Sequence, residues 1–167
     1  MATVRKAEVE WIGGFIDGEG KIASTTSGTL PELEVTWKAR VDADEPMTSP
    51  EELLAAAHAS CYAMQLTSGI VGAGGEPEEL QISCAVSFEP GLGITESALT
   101  ARITAEGLSD EKLREIAERA KIMCPISMAL AGIEITLELP DLALPEDEEA
   151  EGEADEPGDE GSAAAED

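Results

Sequence analysis

The chain has 167 residues, of which 43% are hydrophobic and only 3% aromatic, and its formal net charge is −26. This length and composition suit one globular domain with an aliphatic core, and the charge argues against binding to nucleic acid or to anionic membrane surfaces. With no apolar run near the roughly 20 residues of a membrane span, no signal-peptide pattern and three cysteines, we expect a cytoplasmic protein whose thiols are reactive or simply buried.

Alternating apolar and polar residues predict three strands before the first helix. These are AEVEW (7–11), GKIAST (20–25) and LEVTWKARV (33–41), with turn residues between them. The alternation places Arg40 beside Lys38 on the polar face of the third strand. Arg40 therefore reaches an apolar helix face only if the strand ends or twists there, and is otherwise a solvated strand residue.

The stretch SPEELLAAAHASCYAMQLTSG (49–69) predicts a long helix. Ser49 is a good N-cap, Pro50 suits the first helical position, and Glu52 completes a capping box. Four residues at helical spacing form an apolar stripe that carries the first cysteine: Leu54, Ala57, Cys61 and Met64. Cys61 is therefore either a small apolar core residue or a nucleophile on an apolar wall.

The second half of the chain repeats the order of strands and helix. Strands are predicted at 81–88, 94–106 and 132–140, and a helix runs from a cap at Ser109 to Cys124. Its apolar stripe comprises Leu113, Ile116, Ala117, Ala120 and Cys124. Pro125 disfavours helical backbone at Cys124, so this thiol lies at a helix break where it has freedom to swing toward a fixed partner.

Cys84 alternates with Ile82 and Val86 along its strand, which places it on the buried face. Because free cysteine behaves as a small hydrophobe, we predict a structural role for it.

The end of the chain is strongly acidic. From Asp141 onward there are 13 of the 36 acidic residues and no Lys or Arg, among many Ala, Gly and Pro. Such a segment buries too little apolar surface to offset its ordering entropy, so we predict a domain at 1–140 and a disordered acidic tail at 141–167. The tail is interpreted as a solubilising appendage, with docking or salt adaptation as alternatives.

Two motifs resemble those of one family. TSPEELLAAAHASCYAMQLTSG resembles the first cysteine motif of the OsmC/Ohr thiol peroxidases, and AKIMCPISMAL resembles the second. The W-x-G-G, G-x-G, S-T-x-S-G and K-A-R segments also match in order, and the resemblance covers residues 4–139, leaning toward the OsmC branch. It implies an α+β fold in which an antiparallel sheet wraps around a long central helix, in an intertwined homodimer.

The resemblance also implies a chemistry, that of a two-cysteine peroxidase for organic hydroperoxides. Cys61 attacks the peroxide, Cys124 closes a disulfide with it, and a lipoyl-type dithiol reopens that disulfide without any cofactor. The attacking group is a thiolate, and Cys61 lies too deep in its helix for help from the helix dipole. The family assigns that stabilisation to an arginine, here Arg40, held by a carboxylate, here Glu51.

Helical geometry adds a separate inference about the subunits. Glu51 precedes Cys61 by ten residues, or about 15 Å along a continuous helix. Glu51 of the same chain therefore cannot touch Cys61, and we expect it to arrive from a second subunit.

A predicted substrate pocket surrounds the two thiols with aliphatic side chains: Leu54, Ala57, Met64, Met123 and Ile126. Such walls favour a hydroperoxide with an alkyl or acyl chain over hydrogen peroxide, because burying each methylene contributes roughly 0.8 kcal/mol.

Other interpretations use the same residues. His58, the only histidine, is three residues before Cys61 and within reach of it as the base of a Cys–His hydrolase, but no orienting Asn or Asp is indicated. No closely spaced cysteine pair indicates zinc, and we expect no metal. A non-catalytic ligand-binding or redox-sensing module and an inert relative with purely structural cysteines remain as alternatives.

Overall fold

A computed structural model describes residues 2–42 and 44–142 of the chain. Within these ranges, six strands and four helices form a mixed α+β fold with two three-stranded sheets, ordered β1-β2-β3 and β4-β5-β6. In chain order the elements are β1 (Ala7–Ile12), β2 (Glu19–Thr25), β3 (Leu33–Thr36), α1 (Trp37–Val41), α2 (Pro50–Gly72), β4 (Glu76–Glu89), β5 (Gly93–Glu106), α3 (Asp110–Met123), α4 (Pro125–Ala129) and β6 (Glu134–Glu138). The predicted tail lies outside the described residues except for its first two.

The two long helices begin where their capping residues predict. Ser49 Oγ accepts a hydrogen bond from the Glu52 N–H at 3.2 Å, and Ser109 Oγ accepts one from the Lys112 N–H at 3.3 Å. Each bond satisfies a backbone donor that the first turn of a helix leaves without a partner. Helix α2 continues to Gly72, three residues beyond the predicted end.

Helix α2 packs against the β4-β5-β6 sheet on one side and against α3 on another. The predicted stripe of α3 is confirmed, because Leu113, Ile116, Ala117, Ala120 and Cys124 are all buried. The face of α2 that enters the core differs from the predicted stripe and consists of His58, Tyr62, Leu66 and Ile70, each fully buried. An alanine-rich helix is apolar on several faces, so its largest side chains determine which face enters the core.

The nine-residue strand predicted at 33–41 is wrong in its second half. Strand β3 ends at Thr36, and residues 37–41 form the short helix α1, which Thr36 caps by accepting the Ala39 N–H at 3.1 Å. This change of backbone turns Arg40 away from the polar face of the strand. The sequence predicted that Arg40 reaches a helix face only if the strand ends before it, and the strand does end there.

The β1-β2-β3 sheet is antiparallel and lies away from α2 of its own chain. All six residues of β1 are exposed, including the apolar Val9, Trp11 and Ile12. Within the described residues, only the β4-β5-β6 sheet therefore packs against α2, as a sheet was expected to do.

This second sheet is antiparallel between β4 and β5, but β6 pairs with β5 in parallel, which departs from the wholly antiparallel expectation. None of the helices in the described ranges has the length and apolar character needed to cross a membrane.

Candidate active site

Cys61 and Cys124 lie side by side although 63 residues separate them in the sequence. Cys61 is partly buried in the middle of α2, and Cys124 is fully buried at the break between α3 and α4. Both are free thiols, and the Cys124 side chain and the Ile126 backbone N–H each lie close enough to the Cys61 sulfur to act on its pKa. The predicted helix break places Cys124 next to Cys61, so Cys124 does not need to move far to form a disulfide.

Cys61 has a raised pKa within its own chain. Burial raises the pKa of this thiol most, the neighbouring Cys124 raises it further, and the hydrogen bond from the Ile126 N–H acts in the opposite direction. Thiolate chemistry requires the reverse shift. Among the residues that the structure describes, those around Cys61 therefore supply its partner thiol but no positive charge that would stabilise the thiolate.

Arg40 and Glu51 form the second functional pair, and both belong to the same chain. The Arg40 Nε and Nη2 donate to Glu51 Oε1 at 3.0 and 2.5 Å, and the Glu51 side chain is only 8% exposed. The guanidinium carbon lies 4.3 Å from the centroid of the Phe88 ring and 5.7 Å from that of Trp37. Charge, hydrogen bonds and two aromatic rings thus fix the guanidinium in position.

These two pairs are separated along an unbroken helix. Helix α2 continues without interruption from Pro50 to Gly72, so Glu51 stands about 15 Å before Cys61 along its axis. Arg40 is bound to Glu51 and remains at that end of the helix. The structure therefore brings together Cys61 with Cys124, and Arg40 with Glu51, while α2 keeps the carboxylate of the second pair away from Cys61 of its own chain.

The predicted pocket residues are only partly covered by their own chain. Leu54 and Ile126 are partly buried, whereas Ala57, Met64 and Met123 are exposed, with 68% of Met64 accessible. The predicted apolar stripe that contains Cys61 therefore lies beside the face of α2 that packs into the core, and not on that face. These side chains form an apolar surface around the thiols that their own chain leaves open.

The sequence did not predict the aromatic rings that lie beside Arg40 or the serines that contact His58. Phe88 and Trp37 beside Arg40 belong to a chain with only five aromatic residues, and their scarcity was a usable signal. His58 is fully buried, and its ring nitrogens lie 2.7 Å from Ser97 Oγ and 2.8 Å from Ser127 Oγ. These serines are remote in sequence, and no local pattern pointed to them.

Cys84 lies at the edge of this buried polar cluster. Its sulfur is 3.2 Å from Ser97 Oγ, it is partly buried against the core, and burial raises the pKa of its thiol. A raised pKa leaves the thiol protonated and poorly reactive. This position agrees with the structural role predicted for Cys84.

Comparison with known proteins identifies the family. Residues 42–138 match the family model described as OsmC-like protein. The chain is 33% identical over 141 residues to Peroxiredoxin OsmC of Escherichia coli K12, an alignment that covers 83% of this chain and 96% of the relative. It is 31% identical over 144 residues to the organic hydroperoxide resistance protein OhrA of Bacillus subtilis 168, covering 80% and 94%.

The solved structures agree with the sequence relatives. An organic hydroperoxide resistance protein from Elizabethkingia anophelis, crystallised with thiocyanate, superposes with a TM-score of 0.62 at 30% identity, covering 83% of this chain and 98% of the other. OhrB of Bacillus subtilis superposes with a TM-score of 0.58 at 25% identity, covering 80% and 97%. The fold, the sequence matches and the family model lead to one conclusion: the chain belongs to the OsmC family, with a peroxidase-type role as its family function.

Proposed function

We propose that the protein is a two-cysteine peroxidase that reduces organic hydroperoxides. The observation that carries this proposal is the pair of neighbouring free thiols, Cys61 partly accessible and Cys124 buried, in an OsmC-family fold. The relatives named for peroxiredoxin activity and organic hydroperoxide resistance support the same reaction.

The reaction has three steps whose atoms balance. The Cys61 thiolate attacks the terminal oxygen of ROOH, the O–O bond breaks, and the alkoxide leaves as ROH after protonation, so that Cys61 becomes a sulfenic acid. The Cys124 sulfur then attacks the Cys61 sulfur, forming the disulfide and releasing water. A dithiol of lipoyl type exchanges with that disulfide and restores both thiols while it is itself oxidised. Because free thiols and dithiol reductants persist in the cytoplasm, we propose that compartment for the reaction.

The active site is proposed to span two subunits. The Arg40–Glu51 pair lies at the start of α2 and Cys61 in its middle, so a second copy is needed to bring this cation to the thiol. A guanidinium beside Cys61 would oppose the effect of burial and lower the pKa of its thiol. The exposed apolar residues of the β1-β2-β3 sheet support the same assembly, because a surface of this kind is typical of a protein interface.

Stopped-flow measurement of peroxide consumption tests the proposed function directly. With dihydrolipoamide as reductant, we expect the wild-type protein to turn over cumene hydroperoxide. Oxidation without recycling by the dithiol would instead support a redox-sensing module, and the absence of fast thiol oxidation would support an inert relative.

Substrate preference gives a second prediction at the same site. We expect a larger second-order rate constant for cumene or fatty-acid hydroperoxide than for hydrogen peroxide, because the apolar flank beside Cys61 is available to the organic group and each buried methylene contributes roughly 0.8 kcal/mol. Met64→Ser should reduce this preference several-fold. Met128→Ser is the matched control, since Met128 is similarly exposed at 64% but lies outside the predicted pocket. Equal or smaller rate constants for the organic hydroperoxides would contradict the prediction.

A further inference from the structure

The imidazole of His58 connects three elements of the fold. His58 lies on α2, its Nδ1 is 2.7 Å from Ser97 Oγ on β5, and its Nε2 is 2.8 Å from Ser127 Oγ on α4. All three side chains are buried, with His58 and Ser97 fully inaccessible and Ser127 5% exposed. One buried ring therefore holds both the sheet and the short helix α4 against α2.

The hydrogen-bonding capacity of this cluster matches a neutral imidazole. Burial lowers the pKa of His58, so at neutral pH the ring carries one N–H donor and one acceptor nitrogen. A serine hydroxyl either donates or accepts, so Ser97 and Ser127 complement the two nitrogens in either tautomer. No buried side-chain nitrogen or oxygen in the described ranges lacks a hydrogen-bond partner, so this cluster is fully satisfied. Such a network is rigid, since each lost bond leaves a buried polar atom unpaired.

The contact between His58 and Ser127 joins α2 to α4, and the contacts of Cys61 with Cys124 and Ile126 join the same two helices. His58 is one helical turn before Cys61 on α2, and Ser127 directly follows Ile126 on α4. The Ile126 N–H and the thiol of Cys124, at the start of the same turn, both lie beside the Cys61 sulfur, and Cys61 and Ile126 pack against the core cluster that contains Cys124. A shift of α4 relative to α2 would therefore alter both contacts of the Cys61 sulfur.

We propose that His58 is a positioning residue for the thiol pair, which through Ser127 holds α4 in the place where Cys124 and the Ile126 N–H contact Cys61. In the proposed peroxidase cycle this placement serves disulfide formation, in which the S–S bond forms as the S–O bond of the sulfenic acid breaks. The physiological meaning of this placement rests on the proposed function. The contact itself is testable without peroxide.

Ser127→Ala removes the hydroxyl that binds His58 and leaves both thiols in the chain. We expect disulfide formation by diamide, which takes up the two hydrogens of the thiol pair, to slow by at least about tenfold, because small misplacement of reacting atoms costs that much or more. We also expect the pH profile of Cys61 alkylation by iodoacetamide, followed by mass spectrometry, to move to higher pH as the Ile126 contact is lost. Ser127→Thr restores the hydroxyl and should recover both readouts.

Tyr62→Phe is the matched control for the loss of a buried hydrogen bond. The Tyr62 hydroxyl donates to the Ala117 carbonyl oxygen at 3.2 Å, from the same helix and at the same depth, but toward α3. We expect this variant to form the disulfide at the wild-type rate. A folded Ser127→Ala protein within twofold of wild type, or an equal slowing in Tyr62→Phe, would overturn the proposal. Because diamide oxidises thiols directly, these results are independent of whether the protein reduces peroxides.

Discussion

We expect replacement of Cys61 by serine to abolish peroxide reduction, and replacement of Cys124 by serine to leave the first oxidation intact but to stop turnover after it. The difference follows from the roles proposed for two neighbouring thiols. Cys61 is the partly accessible one of the pair, and Cys124 is fully buried behind it. A serine hydroxyl at position 61 is far less ionised and less nucleophilic than a thiol, so the peroxide reaction falls to the background rate of the reductant.

The Cys124→Ser protein should consume peroxide in a single burst and then stall. Without Cys124 the sulfenic acid on Cys61 has no neighbouring thiol to condense with, and excess peroxide drives it to sulfinic acid. Stopped-flow kinetics with dihydrolipoamide measures the burst and the stall, and dimedone labelling followed by mass spectrometry identifies the sulfenic acid on Cys61.

Cys84→Ser is the matched control for these two variants. Cys84 is the third thiol of the chain, and burial raises its pKa, so it should remain unreactive. A serine there keeps a group able to hydrogen-bond with Ser97. We expect full turnover in this variant. Loss of turnover there, or a sustained cycle in Cys124→Ser, would contradict the assignment of the two cysteines.

Local signals in the sequence were sufficient for the starts of the two long helices and for the helix break at Cys124, but not for the pairing of the two thiols. The Ser49 and Ser109 caps fixed two helix starts because a cap is a contact between residues three apart. The Cys124–Pro125 break was predictable because proline restricts the residue before it. Family motifs then indicated that Cys61 and Cys124 act together, although no local rule relates residues so far apart.

The surroundings of Arg40 could not be predicted from periodicity. The segment 37–41 alternates like a strand, yet the Thr36 cap makes it helical. Its place is further fixed by contacts with Phe88 and Glu51, which come from other elements. Tertiary contacts of this kind override a weak local preference.

The core face of α2 was missed for a different physical reason. Its alanines make several faces apolar, so spacing alone does not select one. The buried volume of Tyr62, Leu66 and Ile70 selects the core face, and Cys61 is left on its flank. The bonds from His58 to Ser97 and Ser127 cross 39 and 69 residues of sequence, which only the folded chain brings together.

A mixed dimer of two inactive subunits should recover about half of the wild-type activity. One subunit carries Cys61→Ser, and the other carries Arg40→Met with Glu51→Gln, so that no buried carboxylate is left without its cation. If the site combines Cys61 of one chain with Arg40 of the other, the mixed dimer holds one complete site and one that lacks both groups. Coexpression with two affinity tags and tandem purification gives this dimer in defined composition.

The parent homodimers and one further variant decide how the result is interpreted. Each homodimer should be inactive or nearly so, and the Arg40→Met/Glu51→Gln homodimer should also need a higher pH for Cys61 alkylation, because the cation that lowers the pKa of this thiol is gone. Arg102→Met is the matched control, since Arg102 also pairs with a carboxylate, Asp141, at 2.5 Å and is more exposed. It should retain full activity.

Activity of the mixed dimer at the level of the Arg40→Met/Glu51→Gln homodimer would place Arg40 and Cys61 of each site in one chain. That arrangement would require α2 to break between Glu51 and Cys61, or Arg40 to leave Glu51, because an intact helix keeps them about 15 Å apart. Recovery to about half would instead mean that neither chain activates its own cysteine. In that case dissociation into monomers should raise the pKa of Cys61 and slow the peroxide reaction together, since the charge that stabilises the thiolate comes from the second subunit.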